Sequence, residues 1–216
     1  MNKEQFQELQ QIYLESCEDR IRTSSEHIES IANNEGNVEE SLKVIRRDLH
    51  SMKGMGTASG FPGITAIAHR AEEFILHNET LNTQEVSDLY KFYDAIQSLM
   101  VKETQPNSDE IAEIVRNLPH RNNETEKKNT NKEIEVLSVM PPNLIHNAIN
   151  DDLRELGFRL SNSPSGIEAI RTILHTKPDL IVLSAVIDEI DGIELSKILR
   201  LIENTKNIPI ILITSF

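Results

Sequence analysis

The chain has 216 residues, of which 38% are hydrophobic and only 4% aromatic, and its formal net charge is −13. The length predicts one large domain or two small ones, and the negative charge argues against nucleic-acid binding, which depends on clustered Lys and Arg. A single cysteine, Cys17, excludes an internal disulfide or a cysteine zinc cage, and no segment reads as a signal peptide or membrane span, so we expect a cytoplasmic protein without a membrane anchor.

The first half of the chain predicts helices. Apolar residues recur at helical spacing over residues 6–31, 38–56, 64–75 and 86–99, with Ser24 filling a gap in the first stripe. Asn82 with Glu85, and Asn107 with Glu110, have the spacing of capping boxes, and the second pair begins a short helix that ends near Leu118. Four amphipathic helices with short connections predict an antiparallel four-helix bundle in residues 1–118.

The second half changes its hydrophobic period. Residues 119–132 are almost purely polar and predict a linker. Predicted strands at 136–139, 159–161, 180–183 and 208–214 then alternate with predicted helices at 145–156, 166–175 and 193–202. This alternation predicts a doubly wound parallel α/β domain in residues 133–216, so the predicted fold class is multidomain, α followed by α/β.

His50 is the candidate functional residue of the helical half. At about 100° per residue it lies roughly 120° from the apolar stripe of the second helix, so its side chain should face solvent. Residues three and four positions away are Arg46, Arg47, Lys53 and Gly54, which we interpret as a basic collar with one bare stretch of backbone. Residues 1–120 hold 21 acidic and 11 basic residues, net −10, so a local basic cluster stands out there.

These residue types suit phosphoryl transfer. Neutral imidazole is a nucleophile at physiological pH, and cations one turn away would stabilise a phosphorylated ring and attract an acidic partner. Gly54 leaves room for that partner to approach. Phosphoryl transfer needs mainly positioning and charge neutralisation, so a carrier can offer the nucleophile alone while its partner supplies Mg²⁺ and carboxylates.

The motif matches a known pattern. His50-Ser51-Met52-Lys53-Gly54-Met55-Gly56, followed by a Gly-Phe turn and by Ile-Ala-His-Arg-Ala-Glu-Glu at 67–73, resembles the histidine phosphotransfer family over about half of the chain. The family's acceptor is the His of His-x-x-Lys-Gly-x-Gly/Ala on the second helix of a four-helix bundle. The resemblance implies that His50 is the phosphoacceptor and that Lys53 and Gly54 support it. Arg46, Arg47, Lys53 and Gly54 would then contact the partner.

The remaining candidates are given structural interpretations. His69 matches a recurring family position but is expected to pack or to form hydrogen bonds. Cys17 is expected in the core, and the methionines on either side of Gly54 are expected to pack. The other histidines are interpreted as surface or helix-end residues: His27, His77, His120, His146 and His175.

Residues 133–216 resemble a response-regulator receiver domain through Pro-Asp-Leu-Ile-Val-Leu-Ser at 178–184, Asp-Gly-Ile-Glu-Leu at 191–195 and the apolar strand that follows. The acidic pair of such domains falls on Met140 and Pro141, and their phosphoacceptor aspartate falls on Ser184, whereas Thr214 matches. The domain is therefore interpreted as a pseudo-receiver without a metal site. The chain stops before the last strand of such domains, which indicates a truncated domain or a fragment, and an exposed sheet edge would favour pairing with another chain.

The sequence thus predicts a phosphorelay carrier that exchanges a phosphoryl group on His50 with a receiver aspartate or a sensor histidine kinase. It predicts no enzyme activity, because no Gly-rich phosphate loop or kinase signature is present, and no resident cofactor. The alternative is a binding-only regulator whose pseudo-receiver is an interaction or dimerisation module. The partner, the direction of transfer and the oligomeric state stay open.

Overall fold

The computed structural model describes residues 2–76, 78–102, 104–120 and 134–214. They fall into two units, within residues 1–119 and 120–216. Of the predicted linker, residues 119–132, only Pro119 and His120 lie within the described residues. Within them, no helix combines the length and apolar character that crossing a membrane would take.

Five helices form the first unit: α1 Lys3–Ala32, α2 Val38–Gly56, α3 Pro62–Ile75, α4 Thr83–Met100 and α5 Ser108–Arg116. Each of the first four packs against its neighbours in the chain, α4 closes the bundle against α1, and α5 packs on α3. The predicted four-helix bundle is confirmed.

Asparagines define where these helices begin. The side chains of Asn2, Asn37, Asn82 and Asn107 accept backbone hydrogen bonds at the start of α1, α2, α4 and α5. Both capping boxes predicted from the sequence are present. Each such cap stabilises its helix by about 1 kcal/mol, because it satisfies backbone donors that the first turn leaves unpaired.

The bundle core consists of the predicted stripes. On α1 the buried residues include Cys17 and Ser24, which confirms that Cys17 is a core residue and that Ser24 fills the gap. Burial raises the pKa of the Cys17 thiol. On α2, Leu42, Ile45 and Leu49 are fully buried and place His50 on the opposite flank.

The second unit is an α/β domain. Its elements are β1 Glu135–Val139, α6 Leu144–Glu155, β2 Arg159–Ser163, α7 Gly166–Thr176, β3 Leu180–Ser184, α8 Gly192–Leu201 and β4 Ile210–Ile213. The four strands form one parallel sheet in the order β2-β1-β3-β4. Strand β2 runs two residues beyond its predicted end, and β4 is shorter than predicted at both ends.

Helices cover both faces of this sheet. Residues of α7 and α8 pack on one face against Leu137 and Leu183, and residues of α6 pack on the other face against Val136 and Val182. The predicted doubly wound fold is therefore confirmed. Strand β4 is the end strand, and Ile211 on one face and Leu212 on the other are 51% and 39% exposed.

Candidate functional site

His50 lies in the middle of α2 with its side chain 69% exposed. Its neighbour Leu49 and Met52, two residues further along α2, are buried in the bundle core. The predicted exposure of His50 is confirmed, since the core face of α2 turns this ring to solvent.

A carboxylate on α3 joins His50 to Lys53. Oε1 of Glu72 lies 2.9 Å from Nδ1 of His50, and Oε2 of Glu72 lies 2.7 Å from Nζ of Lys53. Glu72 and Lys53 are both mostly buried. Because one carboxylate bridges both side chains, the packing of α3 against α2 fixes the ring of His50 and the ammonium of Lys53 relative to each other.

The charge of Glu72 sets the hydrogen position on His50. Partial burial acts to raise the pKa of the Glu72 carboxyl, but hydrogen bonds and charge from Lys53, and then from His50, outweigh it and hold that pKa below its ordinary value. Glu72 is therefore ionised at neutral pH and can only accept hydrogen bonds. Nδ1 of a neutral His50 must then carry the hydrogen, which leaves the unprotonated lone pair on Nε2.

The predicted basic collar needs correction. Arg46 donates from Nε and Nη2 to the carbonyl of Ile75, at 3.3 and 2.8 Å, and from Nη2 to the carbonyl of Asn78, at 2.7 Å, so its guanidinium is bound at the carboxyl end of α3. Lys53 is neutralised by Glu72. Helical spacing revealed the cations of α2 but could not show that α3 supplies acceptors for two of them.

The third predicted cation, Arg47, lies toward α1. Its Nε and Nη2 are 3.4 Å from Oδ1 of Asp48, and Nη1 of Arg20 on α1 is 3.1 Å from the same oxygen. Asp48 is only 2% exposed, whereas the side chain of Arg47 is 66% exposed. Among the predicted cations, Arg47 is thus the one that α3 does not engage.

The two glycines of the motif differ in their surroundings. A Cβ added to Gly54 would have no atom within 4 Å outside its own helix, so no packing within the described residues requires glycine there. A Cβ on Gly56 would lie 2.5 Å from Oγ1 of Thr65 and 2.8 Å from the hydroxyl of Tyr13, which donates to the carbonyl of Met52. Gly56 is therefore needed for helix packing, and Gly54 exposes backbone to solvent.

The methionines and His69 follow their expectations only in part. Met52 is buried as expected, but Met55 is 50% exposed, so the packing interpretation is wrong for Met55. His69 is buried on α3 with Nε2 3.9 Å from Oε1 of Glu73, in agreement with a packing position.

Three further histidines within the described residues, His27, His146 and His175, lie in different surroundings. Nδ1 of His27 lies 3.0 Å from Oγ of Ser41 and links α1 to α2. His146 lies in the first turn of α6, in agreement with a helix-end position, and forms a partly buried network with Asn150 and Asn162. His175 is half-buried, and burial lowers its pKa. His77 lies outside the described residues.

The receiver-like positions meet at one edge of the sheet, because the carboxyl ends of parallel strands lie together. Met140 follows β1 and is buried, Pro141 comes next, Ser184 ends β3, and Thr214 follows β4. Oγ of Ser184 donates to the carbonyl of Val186 and accepts from its backbone N–H, so this hydroxyl is engaged by the loop.

Carboxylates near this edge do not assemble a metal site. Asp191 accepts from the backbone N–H of Glu194 and caps α8. In the described part of the chain, no three His, Cys, Asp or Glu side chains group in a way that could hold a metal ion.

Comparison with known proteins matches this division of the chain. Residues 8–103 match the family model described as Hpt domain, which confirms the resemblance drawn from the His50 motif. The C-terminal region is similar to receiver domains.

Two curated relatives carry the receiver similarity. The transcriptional regulatory protein AfsQ1 of Streptomyces coelicolor is 32% identical over 80 residues, which is 37% of this chain and 34% of that protein. The polar-differentiation response regulator DivK of Brucella ovis is 32% identical over 66 residues, 31% of this chain and 54% of that protein. The chain therefore spans only a third to about half of the length of these relatives.

Solved structures give similar matches. The receiver domain of a sensor histidine kinase from Pseudomonas aeruginosa PAO1 is 28% identical, with a TM-score of 0.36, over 38% of this chain and 66% of that one. A response regulator from Chloroflexus aurantiacus is also 28% identical, with a TM-score of 0.37 and the same coverage.

Sequence reasoning missed Glu72, Asp48 and Arg20. Glu72 lies in the family-like stretch at 67–73 but received no role. The sequence did contain a clue to Glu72. It is an acidic residue beside the apolar stripe of α3, and α2, the helix before it, carries basic residues. No such pattern in the sequence points to Arg20. It lies 28 residues from Asp48 along the chain, and only the packing of α1 on α2 brings the two side chains together.

Proposed function

We propose that this protein is a phosphorelay carrier in which Nε2 of His50 accepts a phosphoryl group and passes it on. The observation that carries the proposal is the bridge from Glu72 to Nδ1 of His50 and to Lys53, because it presents a solvent-exposed nucleophilic nitrogen in one tautomer. The Hpt domain at residues 8–103 supports an involvement in two-component phosphorelay.

In the proposed transfer step, this protein contributes only the imidazole of His50 and the carboxylate of Glu72. The lone pair of Nε2 attacks the phosphorus of an aspartyl phosphate on a receiver domain, the P–O bond to that aspartate breaks, and its carboxylate leaves with the electron pair. The ring then carries positive charge with the hydrogen still on Nδ1, and the Glu72 carboxylate 2.9 Å away stabilises that charge. Transfer onward reverses the step.

Other groups come from the partner. We propose that the receiver or kinase supplies Mg²⁺ and that this protein acts as a carrier, because its sequence has no phosphate-binding loop or kinase signature. Arg47 and Gly54 lie on the exposed surface around His50 and are the residues of the predicted contact set that remain available to a partner.

The test is transfer of radiolabelled phosphoryl groups from phosphorylated receivers and kinases of the source organism to the full chain. We expect acid-labile, alkali-stable label on the wild type and on His27→Gln, the matched control in the same unit, and none on His50→Gln. Label that persists in His50→Gln would refute the assignment. Acid-stable label lost in Ser184→Ala would locate it on the serine instead.

The second candidate is a binding-only regulator, and the observation that favours it is the absence of a carboxylate at Met140, Pro141 and Ser184, where the receiver-like pattern has acidic residues. In this role the C-terminal unit is an interaction or dimerisation module, and the exposed residues Ile211 and Leu212 of β4 are the surface that would pair with a second copy. Sedimentation of the full chain with and without a receiver separates the roles, since a stable complex without phosphoryl transfer favours the regulator.

A further inference from the structure

Two arginines from different helices converge on one buried carboxylate, that of Asp48, two residues before His50 on α2. Nη1 of Arg20 on α1 and the Nε and Nη2 atoms of Arg47 on α2 all lie within 3.4 Å of Oδ1 of Asp48. The two guanidinium groups are therefore neighbours, because both contact the same oxygen atom of Asp48. We call Arg20 and Arg47 the arginine pair.

Asp48 orients this pair. A carboxylate that is 2% exposed is stable as an anion only if cations and donors compensate it, and both arginines turn inward to do so. Arg20 is further directed by a hydrogen bond from Nε to Oγ of Ser16. Both arginine side chains stay partly accessible, that of Arg20 33% and that of Arg47 66% exposed. Two cations and one anion leave a net positive charge, although residues 1–120 carry a net charge of −10.

The arginine pair lies on the open side of His50. At about 100° per residue, Arg47 is roughly 60° to one side of His50 around α2, and Lys53 is roughly 60° to the other. Toward α3, Lys53 and Arg46 are engaged by Glu72 and by backbone carbonyls. Toward α1, Gly54 exposes bare backbone. A partner that reaches Nε2 from the α1 side therefore passes Arg47, which shares the Asp48 carboxylate with Arg20.

We propose that the arginine pair, held by Asp48, binds an acidic side chain on the rim of the partner's phosphorylation site and so determines which receiver domains this protein accepts. The inference rests on the proposed carrier function. In an acidic unit, an acidic partner is repelled by most of the surface and attracted to this position, which fixes its orientation as well as its affinity.

The test compares two arginines of nearly equal exposure. Arg47→Gln removes one positive charge next to His50, and Arg22→Gln removes one from α1, where Arg22 is 71% exposed and paired with Asp19. Arg20 still compensates Asp48 in the first variant. A third variant, R20Q/D48N/R47Q, removes the whole cluster and changes the net charge by the same single unit. Thermal unfolding confirms that each variant is folded.

The readouts are affinity for a receiver domain that exchanges label with the wild type, and the rate of transfer within the preformed complex. At low ionic strength we expect about fivefold weaker binding for Arg47→Gln and about tenfold for the triple variant, an unchanged transfer rate in the complex, and no effect of Arg22→Gln. The differences should shrink as salt is added, because salt screens exposed charges.

Three outcomes would overturn the inference. Equal affinities for Arg47→Gln and Arg22→Gln would show that only net charge matters. A slower transfer step at unchanged affinity would show that Arg47 acts on the chemistry. If the wild type neither binds nor labels with any receiver, the proposed function itself fails, which the His50→Gln comparison reports separately.

Discussion

Replacing the two glycines of the His50 motif, Gly54 and Gly56, with alanine should change the stability of the bundle in opposite directions. In Gly54→Ala the new methyl group points into open solvent, and alanine is favoured over glycine in a helix, so we expect the bundle to gain about 0.5–1 kcal/mol. In Gly56→Ala the methyl group would contact Thr65, Tyr13 and the Phe61 carbonyl at 2.5–3.0 Å, so we expect a loss of about 1–3 kcal/mol.

For Gly54→Ala, phosphoryl transfer should decrease although stability increases. A methyl group that hinders docking by about 1.4 kcal/mol reduces partner affinity about tenfold, so Gly54→Ala should be more stable than the wild type but less active. Urea denaturation gives the stability, and a titration of receiver in the labelling assay gives the affinity. If Gly54→Ala is stabilised and transfers like the wild type, Gly54 does not serve partner access. If it is destabilised, the open surroundings of this glycine have been misjudged.

Four further predictions concern the contacts of Glu72, Asp191 and Arg46. Glu72→Gln should slow transfer about tenfold and change the tautomer populations of His50 in ¹⁵N NMR spectra, whereas unchanged populations would refute the orienting role. The pKa of Glu72 is lowered in the folded state. Its contribution to stability is therefore complete above the ordinary glutamate pKa of about 4.3 and is lost as the pH falls through the lowered value. The urea midpoints at pH 7 and in acid should thus differ more in the wild type than in Glu72→Gln. Asp191→Ala should destabilise the second unit by about 1 kcal/mol through loss of the α8 cap, with Asp188→Ala as the control in the same loop. Arg46→Gln should lower bundle stability by about 1–2 kcal/mol, measured by urea denaturation, without affecting receiver affinity.

The sequence predicted those features that depend on one helix at a time. The stripe on α2 gave the exposure of His50, and the Asn-to-Glu spacings gave the starts of α4 and α5, because helical periodicity and capping are local. The alternation of strands and helices likewise gave the doubly wound domain, since few topologies fit such an order.

Contacts between helices were not predictable from these patterns. Arg46 and Lys53 were known to flank His50, but their partners lie 19 to 32 residues away, in Glu72, Ile75 and Asn78. Which side chain of α3 faces which side chain of α2 depends on the packing angle and offset of the two helices. The sequence therefore predicted the exposure of His50 correctly but assigned its surroundings to free cations.

The position of Arg46 bears on how partner choice could be redesigned. An arginine four residues before the candidate acceptor looks like a specificity residue to any procedure that ranks surface positions of α2 by their distance along the chain. Its guanidinium instead binds backbone carbonyls at the end of α3. Exchanging Arg46 together with true contact residues would therefore destabilise the bundle, and the resulting loss of binding would be attributed wrongly to recognition. In comparisons among relatives, the identity at this position should vary together with the residues that terminate α3, and should be independent of the receivers that each relative serves.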